Sequence, residues 1–392
     1  MDRVISLKTC IVTTTLLSPL LWSCHAFAQW QGGPLSTTNS NSQIIRQQQQ
    51  KQKVWATTVN GQAASAGTDP DTCIKTVDVL SLDSIRDTLI RQEETIIFAL
   101  IERSQFRRNA IAYEKGGFGD LGVPIGSTPV DDCDDKLSFL EYMLVGTEVL
   151  HCSVRRYTSP EEHAFFPERL PQQGQMDALP KLDYPEDLLS AVGGASAVNF
   201  NPILLEKYVD VIVPAMTKEG DDEQHGSTIL ADIAVLQALS KRIHYGKFVA
   251  ESKYRSDPEE YQRLVDAGDA EGVMRLLTND KVEKKVLRRA RLKAATYGRE
   301  PLLAELPPIE HGESTSIVAA AAAAAVVAAL EALGEDKGQK GKVDPAVIES
   351  VYEKIIIPVT KDIEVAYLFR RCGREPPAKY APDRMSVDVQ KL

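Results

Sequence analysis

The sequence predicts an all-α protein, and three observations lead to this fold class. From about Val77 onward, apolar residues recur at the three- and four-residue spacing of helices that bury one side. No run of alternating apolar residues bounded by hairpin turns stands out. Residues 227–254 are apolar on nearly every side, which is typical of a central helix surrounded by other helices.

The first 72 residues predict a leader rather than folded structure. Residues 1–26 have a basic start, an interrupted apolar stretch and small residues at their end, which together are typical of a cleaved signal peptide. Residues 27–72 resemble a transit peptide, since positions 29–67 contain no Asp or Glu and many Ser, Thr, Gln and Asn. We therefore predict a disordered two-part leader that directs the chain to a plastid. Secretion with a disordered stalk is the alternative.

Caps and helix breakers place the helices of the folded part. Ser81 can cap a first helix, Pro160 follows the end of a second, and the Asp257-Pro258 pair ends the central one. Asp344-Pro345 is a cap followed by proline at the first helical position, and Pro358 should bend the helix that begins there. The predicted helices span about 82–103, 137–157, 227–254, 258–267, 269–277, 280–297 and 345–371.

One domain is predicted over residues 73–374, with an insertion at about 303–341. The insertion contains an Ala-rich run, 316–333, followed by a Gly- and Lys-rich stretch, and it predicts a surface helix with a flexible loop. The run is too short and too weakly apolar to predict a membrane span in the mature protein. The Pro-rich residues 375–392 predict a loose tail.

Composition narrows the classes of function. The 392 residues are 43% hydrophobic and carry a formal net charge of -10, which argues against nucleic acid or an acidic membrane as partner. A small anionic ligand would need a local cluster of cations. The six cysteines form no CxxC pair and no zinc spacing, so neither a metal site nor a disulfide framework is predicted.

Three cations lie on apolar helix faces. Arg86 lies in the middle of an apolar stripe that also contains Glu93. Arg242 and Lys253 are eleven residues apart on the central helix, so they point the same way to within about 20°. A cation among buried apolar side chains is costly unless an anion meets it. Pairing of Arg86 with Glu93 is therefore the simplest structural explanation for the first cation.

Two polar pairs have the four-residue spacing that places side chains on one helix face. They are Asn279 with Glu283 and Thr360 with Glu364, and each adjoins apolar positions. Lys253 could pair with either glutamate. From spacing alone, such structural ion pairs are the favoured interpretation, because helical spacing is common by chance.

Three blocks of sequence carry a more specific signal. Residues 85–104, 226–253 and 358–371 resemble the first, central and last helices of fungal and plant chorismate mutases, in the same order. The resemblance runs from about Val77 to Arg371 and is interrupted by the insertion. It implies an all-helical homodimer with a pocket inside each helical bundle. The implied reaction is the Claisen rearrangement of chorismate to prephenate, in the biosynthesis of phenylalanine and tyrosine.

The resemblance also implies the roles of individual residues. The rearrangement is intramolecular, so no cofactor and no metal are expected. Two arginines would bind the two carboxylates of chorismate, and Lys253 would donate to the ether oxygen, as would a protonated Glu364. Glu283 would accept from the ring hydroxyl, while an asparagine and a threonine would position the ring. The implied catalytic residues are Arg86, Arg242, Lys253, Asn279, Glu283, Thr360 and Glu364.

A regulatory site is also implied. Family members bind tyrosine or tryptophan between subunits, and Arg155, Arg156, Gly226 and Ser227 match positions that line this site. The sequence departs from the fungal pattern nearby, at Gln224, Leu230 and Asp344. For the two arginines, the alternative is that they satisfy carbonyl groups at a helix C-terminus. For the whole protein, the alternative is an inactive helical dimer that only senses aromatic amino acids.

Overall fold

The computed structural model describes residues 79–130, 136–171, 188–298 and 341–382, and the regular elements within these ranges are all helical. The predicted all-α class is therefore confirmed. The leader and most of the predicted insertion lie outside the described residues. The α-helices are α1 (Leu82–Arg103), α2 (Phe139–Ser153), α3 (Asn201–Lys207), α4 (Val213–Met216), α5 (His225–His244), α6 (Gly246–Ser256), α7 (Pro258–Asp266), α8 (Ala270–Leu277), α9 (Asp280–Tyr297), α10 (Pro345–Val351) and α11 (Ile357–Arg371).

Polar caps begin most of the predicted helices. Ser81 accepts a hydrogen bond from the backbone N–H of Ser84 at 3.3 Å, as the sequence predicts for the start of α1. Ser138 and Glu141 form a reciprocal capping box at the start of α2. The side chains of Asp257 and Asp344 cap α7 and α10. These caps supply partners for backbone donors that would otherwise have none.

Helix α5 is the central element. It packs against α1, α2, α3 and α11, and apolar residues on several of its sides are fully buried. A buried ion pair between Arg103 on α1 and Asp232 on α5 joins two of these helices, and Tyr113 and Tyr208 also donate to Asp232. Because every member of this polar group has a partner, the group can remain buried.

The apolar core has two parts, and residues from both parts line a cavity. The larger core surrounds α5 with α1, α2, α10 and the first half of α11. The smaller core joins α6, α7 and α8 to the second half of α11 and to a 3-10 helix, Val192–Ala197. Residues from both cores, such as Val286 and Leu277, line a cavity.

The structure corrects several predicted boundaries. The predicted helix 227–254 is two helices, because the α-helical hydrogen-bond pattern is interrupted at Tyr245, whose carbonyl accepts from the N–H of Phe248 at 3.1 Å. The segment Asn201–Met216 was not predicted but is helical, with a π-helical turn at Tyr208–Ile212 between α3 and α4. A second π-helical turn, Tyr352–Ile356, precedes Pro358. The irregularity in the helical hydrogen bonds therefore lies before the proline.

The described part of the predicted tail is packed rather than loose. Tyr380 is 2% exposed, and its hydroxyl donates to Glu271 at 3.0 Å. Lys379 forms an ion pair with the same carboxylate at 2.9 Å. The described part of the tail is therefore held at Lys379 and Tyr380, and residues 383–392 lie outside the described residues. Within the described ranges, no helix is long and apolar enough to cross a membrane.

Candidate active site

A cavity of about 320 Å³ lies among α1, α5, α6, α8, α9 and α11. Its volume is at the lower end of the range of about 300–1,000 Å³ that is usual for small-molecule sites. Apolar side chains form much of the wall, and polar groups enter from several helices. All seven residues predicted as catalytic line it, namely Arg86, Arg242, Lys253, Asn279, Glu283, Thr360 and Glu364.

The charges around the cavity favour an anion. Lys361 lines the cavity as a fourth cation beside the two arginines and Lys253. It forms an ion pair with Glu283 at 2.7 Å. Glu283 and Glu364 are the carboxylates of the lining residues. Four cations and two carboxylates leave an excess of positive charge at the cavity wall. The excess is larger when Glu364 is protonated, because its carboxyl group is then neutral. The cavity is therefore suited to a small molecule with two negative charges.

Arg242 is the most deeply buried of these cations. Its side chain lies on the last turn of α5, the residue is 6% exposed, and its Nε has no hydrogen-bond partner among the described residues. Burial lowers the pKa of its guanidinium, although the carboxylates of Glu93 and Glu364 oppose that shift. A buried N–H donor without a partner is costly, and a ligand carboxylate would remove that cost.

Arg86 does not occupy the environment that its helical position predicted. Its side chain is 54% exposed and pairs with Asp83 at 2.8 Å, so the predicted pairing with Glu93 is wrong. Glu93 instead accepts from Arg289 at 2.6 Å and lies 3.6 Å from Lys293. Ile85 and Leu89, the apolar neighbours of Arg86, line the cavity and also pack in the smaller core. Arg86 therefore lies at the rim of the cavity, in a surface ion pair of small energetic value.

Lys253 lines the cavity with Glu364 and affects the pKa of that carboxyl, but it forms neither of the predicted ion pairs among the described residues. Its ammonium donates to the backbone carbonyl of Leu277, at the end of α8. Glu283, one predicted partner, pairs with Lys361 instead. The carbonyl holds the ammonium at the wall of the cavity without neutralising its charge. The charge of Lys253 therefore remains available to a ligand.

Glu364 combines deep burial with a high proton affinity. The residue is 6% exposed, and burial raises the pKa of its carboxyl to about 7. The positive charges of Lys253, Arg242 and Lys361 oppose this rise, and the negative charge of Glu283 adds to it. Desolvation is the largest of these effects. At neutral pH a substantial fraction of Glu364 is therefore protonated and can donate a hydrogen bond.

Asn279 and Thr360 are positioned by bonds within their own helices. Asn279 is the N-cap of α9, and its amide oxygen accepts from the N–H of Val282 at 3.2 Å. This arrangement leaves the amide nitrogen as a donor toward the cavity. The hydroxyl of Thr360 donates to the carbonyl of Ile356 at 2.6 Å, so its oxygen acts toward a ligand as an acceptor.

The chain is similar in sequence to chorismate mutases. It is 37% identical over 311 residues to the chloroplastic chorismate mutase 1 of Petunia hybrida, which covers 79% of this chain and 81% of the relative. It is 36% identical over 295 residues to the chorismate mutase of Saccharomyces cerevisiae, which covers 75% and 96% of the two chains. The chain belongs to the chorismate mutase family. No family model matches the sequence.

Solved structures support the same assignment. The Candida albicans chorismate mutase Aro7p in complex with L-Trp matches this chorismate mutase with a TM-score of 0.58 and 36% identity, over 76% and 94% of the two chains. The chorismate mutase AtCM1 with tyrosine bound in its allosteric site matches with a TM-score of 0.56 and 35% identity, over 75% and 98%. The protein is thus an enzyme of the isomerase class with the helical fold of the eukaryotic chorismate mutases.

The residues predicted to bind an effector occupy two separate places in this chorismate mutase. Arg156 pairs with Glu162 at 2.9 Å and also donates to Gln237 in the middle of α5. Gly226 and Ser227 lie in the first turn of α5. Gln237 is eleven residues after Gly226, which corresponds to about 16 Å along the helix. The guanidinium of Arg156 is thus bound by side chains. The alternative from the sequence was that it binds carbonyl groups at a helix C-terminus.

Two groups near the cavity of this chorismate mutase were not predicted. Lys361 follows Thr360 directly, and its ion pair with Glu283 joins α11 to α9. Tyr352 lies in the second π-helical turn, is fully buried, and its hydroxyl has no hydrogen-bond partner within the part of the chain that the structure describes. Burial raises the pKa of Tyr352, and the charge of Arg242 opposes the shift. No local pattern marked these two groups, because their contacts join segments that are distant in the sequence, such as Lys361 with Glu283.

Proposed function

We propose that this enzyme rearranges chorismate to prephenate inside the cavity, using the seven lining residues that the family resemblance indicates. The observation that supports this proposal most strongly is their convergence on one cavity with an excess of positive charge. Chorismate is a dianion, and its rearrangement forms a new carbon–carbon bond while the ether carbon–oxygen bond of the same molecule breaks. Catalysis therefore depends on holding the folded conformer and stabilising charge on the ether oxygen.

The two arginines hold the ends of the substrate. Arg242 is buried, and its Nε–H has no partner among the residues that the structure describes; it binds one carboxylate at the inner end of the cavity. Arg86 binds the other carboxylate at the rim after its guanidinium leaves Asp83, whose side chain is 90% exposed. This exchange is inexpensive because a surface ion pair contributes at most about 1 kcal/mol. Fixing both ends brings the reacting carbons together.

Lys253 and Glu364 stabilise the charge that develops on the ether oxygen. Lys253 donates from its ammonium, and protonated Glu364 donates from its carboxyl group. Each donor aimed at developing charge contributes about 3–4 kcal/mol when it acts in a dry, preorganised site. Glu283 accepts from the ring hydroxyl and is held for this by Lys361 at 2.7 Å. Asn279 and Thr360 position the ring.

Regulation by aromatic amino acids is part of the proposal. Solved relatives contain L-Trp, or tyrosine or phenylalanine in an allosteric site. We assign the corresponding site here to Arg155 and Arg156 of one subunit with Gly226 and Ser227 of a second. The separation of about 16 Å along α5 within one chain agrees with a site that two subunits of a homodimer complete.

The leader and domain limits are proposed from the sequence together with the relatives. Relatives with chloroplastic names support import into a plastid. Residues 1–26 would act as the signal peptide and residues 27–72 as the transit peptide, with the catalytic domain over 73–374. A fluorescent reporter behind residues 1–72 should accumulate in the plastid stroma, and secretion of the reporter would contradict this assignment.

The enzymatic proposal is tested with purified protein lacking residues 1–68. Incubation with chorismate should consume it and yield prephenate, detected by its acid-catalysed conversion to phenylpyruvate. Lys253→Ala, purified in the same way and shown to be folded by circular dichroism, is the control for contaminating activity. A folded wild-type protein without turnover would instead indicate an inactive dimer that senses aromatic amino acids.

A further inference from the structure

Gly246 makes an unusually close contact between two walls of the cavity. It is the first residue of α6 and lies between Arg242 and Lys253 in the sequence. A Cβ atom placed on Gly246 would lie 2.8 Å from Cγ2 of Thr360, 3.2 Å from the backbone oxygen of Thr360 and 3.3 Å from Cγ of Glu364. Helix α11 therefore approaches α6 where α6 has no side chain.

The backbone conformation does not account for glycine at this position. The φ angle of Gly246 is not in the positive range that favours glycine. The preceding Tyr245 has a right-handed helical conformation with φ -64 and ψ -15. Any residue could adopt such a conformation, and glycine is among the least favourable residues within a helix. The close approach of α11 is thus the feature that requires it.

We propose that Gly246 is a positioning residue for the rearrangement, because its missing side chain lets Thr360 and Glu364 approach the substrate opposite Lys253. This inference rests on the proposed function of the cavity. An added methyl group would meet the Thr360 methyl and a backbone oxygen, neither of which can move away freely. The interior is close-packed, so α11 itself would shift and carry Thr360 and Glu364 with it. Neither residue would then reach its productive position.

The first test compares Gly246→Ala with Gly146→Ala. Gly146 lies within α2, and a Cβ atom there would meet no atom within 4 Å, so it is a matched helical control. We expect Gly246→Ala to lower kcat/KM by about 10- to 100-fold, the scale of a 1 Å misplacement, and Gly146→Ala to leave it near the wild-type value. Gly246→Ala should also move the midpoint of the alkaline decline in kcat/KM, because Glu364 is displaced. A purely structural role for the glycine would lower the melting temperature without moving that midpoint.

The second test is rescue by Thr360→Ser. This substitution deletes Cγ2, the atom nearest to the added methyl group, and keeps the hydroxyl. In a double-mutant cycle, adding Gly246→Ala should lower kcat/KM less in the Thr360→Ser background than in the wild-type background. The two fold-losses should differ by a factor of at least about three.

The outcomes separate the inference from the proposed function. If Gly246→Ala does not fold, a folded and active double variant supports the inference, and an unfolded double variant overturns it. Wild-type kcat/KM and an unchanged pH profile for Gly246→Ala also overturn it, as does a loss that Thr360→Ser does not relieve. Failure of the wild-type enzyme to convert chorismate would instead refute the proposed function itself.

Discussion

Replacing Glu364 with Gln should remove most of the decline in activity toward alkaline pH. Burial raises the pKa of the Glu364 carboxyl to about 7, and only the protonated form can donate to the ether oxygen. A glutamine donates through its amide at every pH and has nearly the same shape. The variant should therefore remain active and keep its activity where the wild-type enzyme loses it.

The size of the effect follows from this pKa. With a pKa of about 7, about half of Glu364 is protonated at pH 7, about 9% at pH 8 and about 1% at pH 9. The wild-type kcat/KM should thus fall about fivefold between pH 7 and pH 8 and about ninefold between pH 8 and pH 9. The same quantity for Glu364→Gln should fall less than about twofold between pH 7 and pH 9.

The assay is a pH–rate profile of both proteins, read as kcat/KM to report the free enzyme. Glu283→Gln is the matched control, since it alters the other carboxylate of the cavity, which is paired with Lys361 at 2.7 Å. It should weaken substrate binding and keep an alkaline decline, with the midpoint lowered slightly because Glu283 contributes to the raised pKa of Glu364. An alkaline decline in Glu364→Gln equal to that of the wild type would refute the donor role.

Three further predictions concern charge. Arg242→Ala and Lys253→Ala should each lower kcat/KM by about 10²–10³ while circular dichroism shows an intact fold, since each removes a donor to the reacting dianion; near-normal activity in either would place the site elsewhere. The Glu364 carboxyl keeps its proton up to about pH 7 in the folded protein but only up to about pH 4.5 in the unfolded chain. As the pH rises from about 4.5 to 7, the free energy of unfolding of the wild type should therefore fall by about 3 kcal/mol relative to that of Glu364→Gln, as measured by urea unfolding. Arg156→Ala should abolish the response to tyrosine and tryptophan, measured as the ratio of rates with and without effector, and a retained response would contradict the assignment of Arg156.

Local sequence signals predicted most of the fold. Caps such as Ser81 and Asp257, with apolar periodicity, placed most of the described helices to within a few residues. The signals failed at Tyr245, where the helical hydrogen-bond pattern is interrupted within a segment of uniform helical character, and at 201–216, where prolines conceal the helix. In both places, packing against other elements determines a conformation that local preference leaves open.

Helical position predicted which charged residues matter, but not their partners. It marked Arg242 and Lys253, and both line the cavity. It failed for the surroundings of Arg86, because an apolar stripe looks the same whether it faces a core or a ligand cavity. The partner of Glu93 is Arg289, which is 196 positions away and on another helix, so no local pattern could reveal the pair.

The central claim is that this cavity binds the folded, dianionic form of chorismate through Arg86, Arg242 and Lys253. The most direct test is a crystal structure of the enzyme with a stable bicyclic dicarboxylate that has the shape of the transition state. The two carboxylates should contact Arg86 and Arg242, with Arg86 released from Asp83, and the ether oxygen should lie within about 3 Å of Nζ of Lys253. Binding of the analogue outside the cavity, or inside it with the ether oxygen away from Lys253, would contradict the claim.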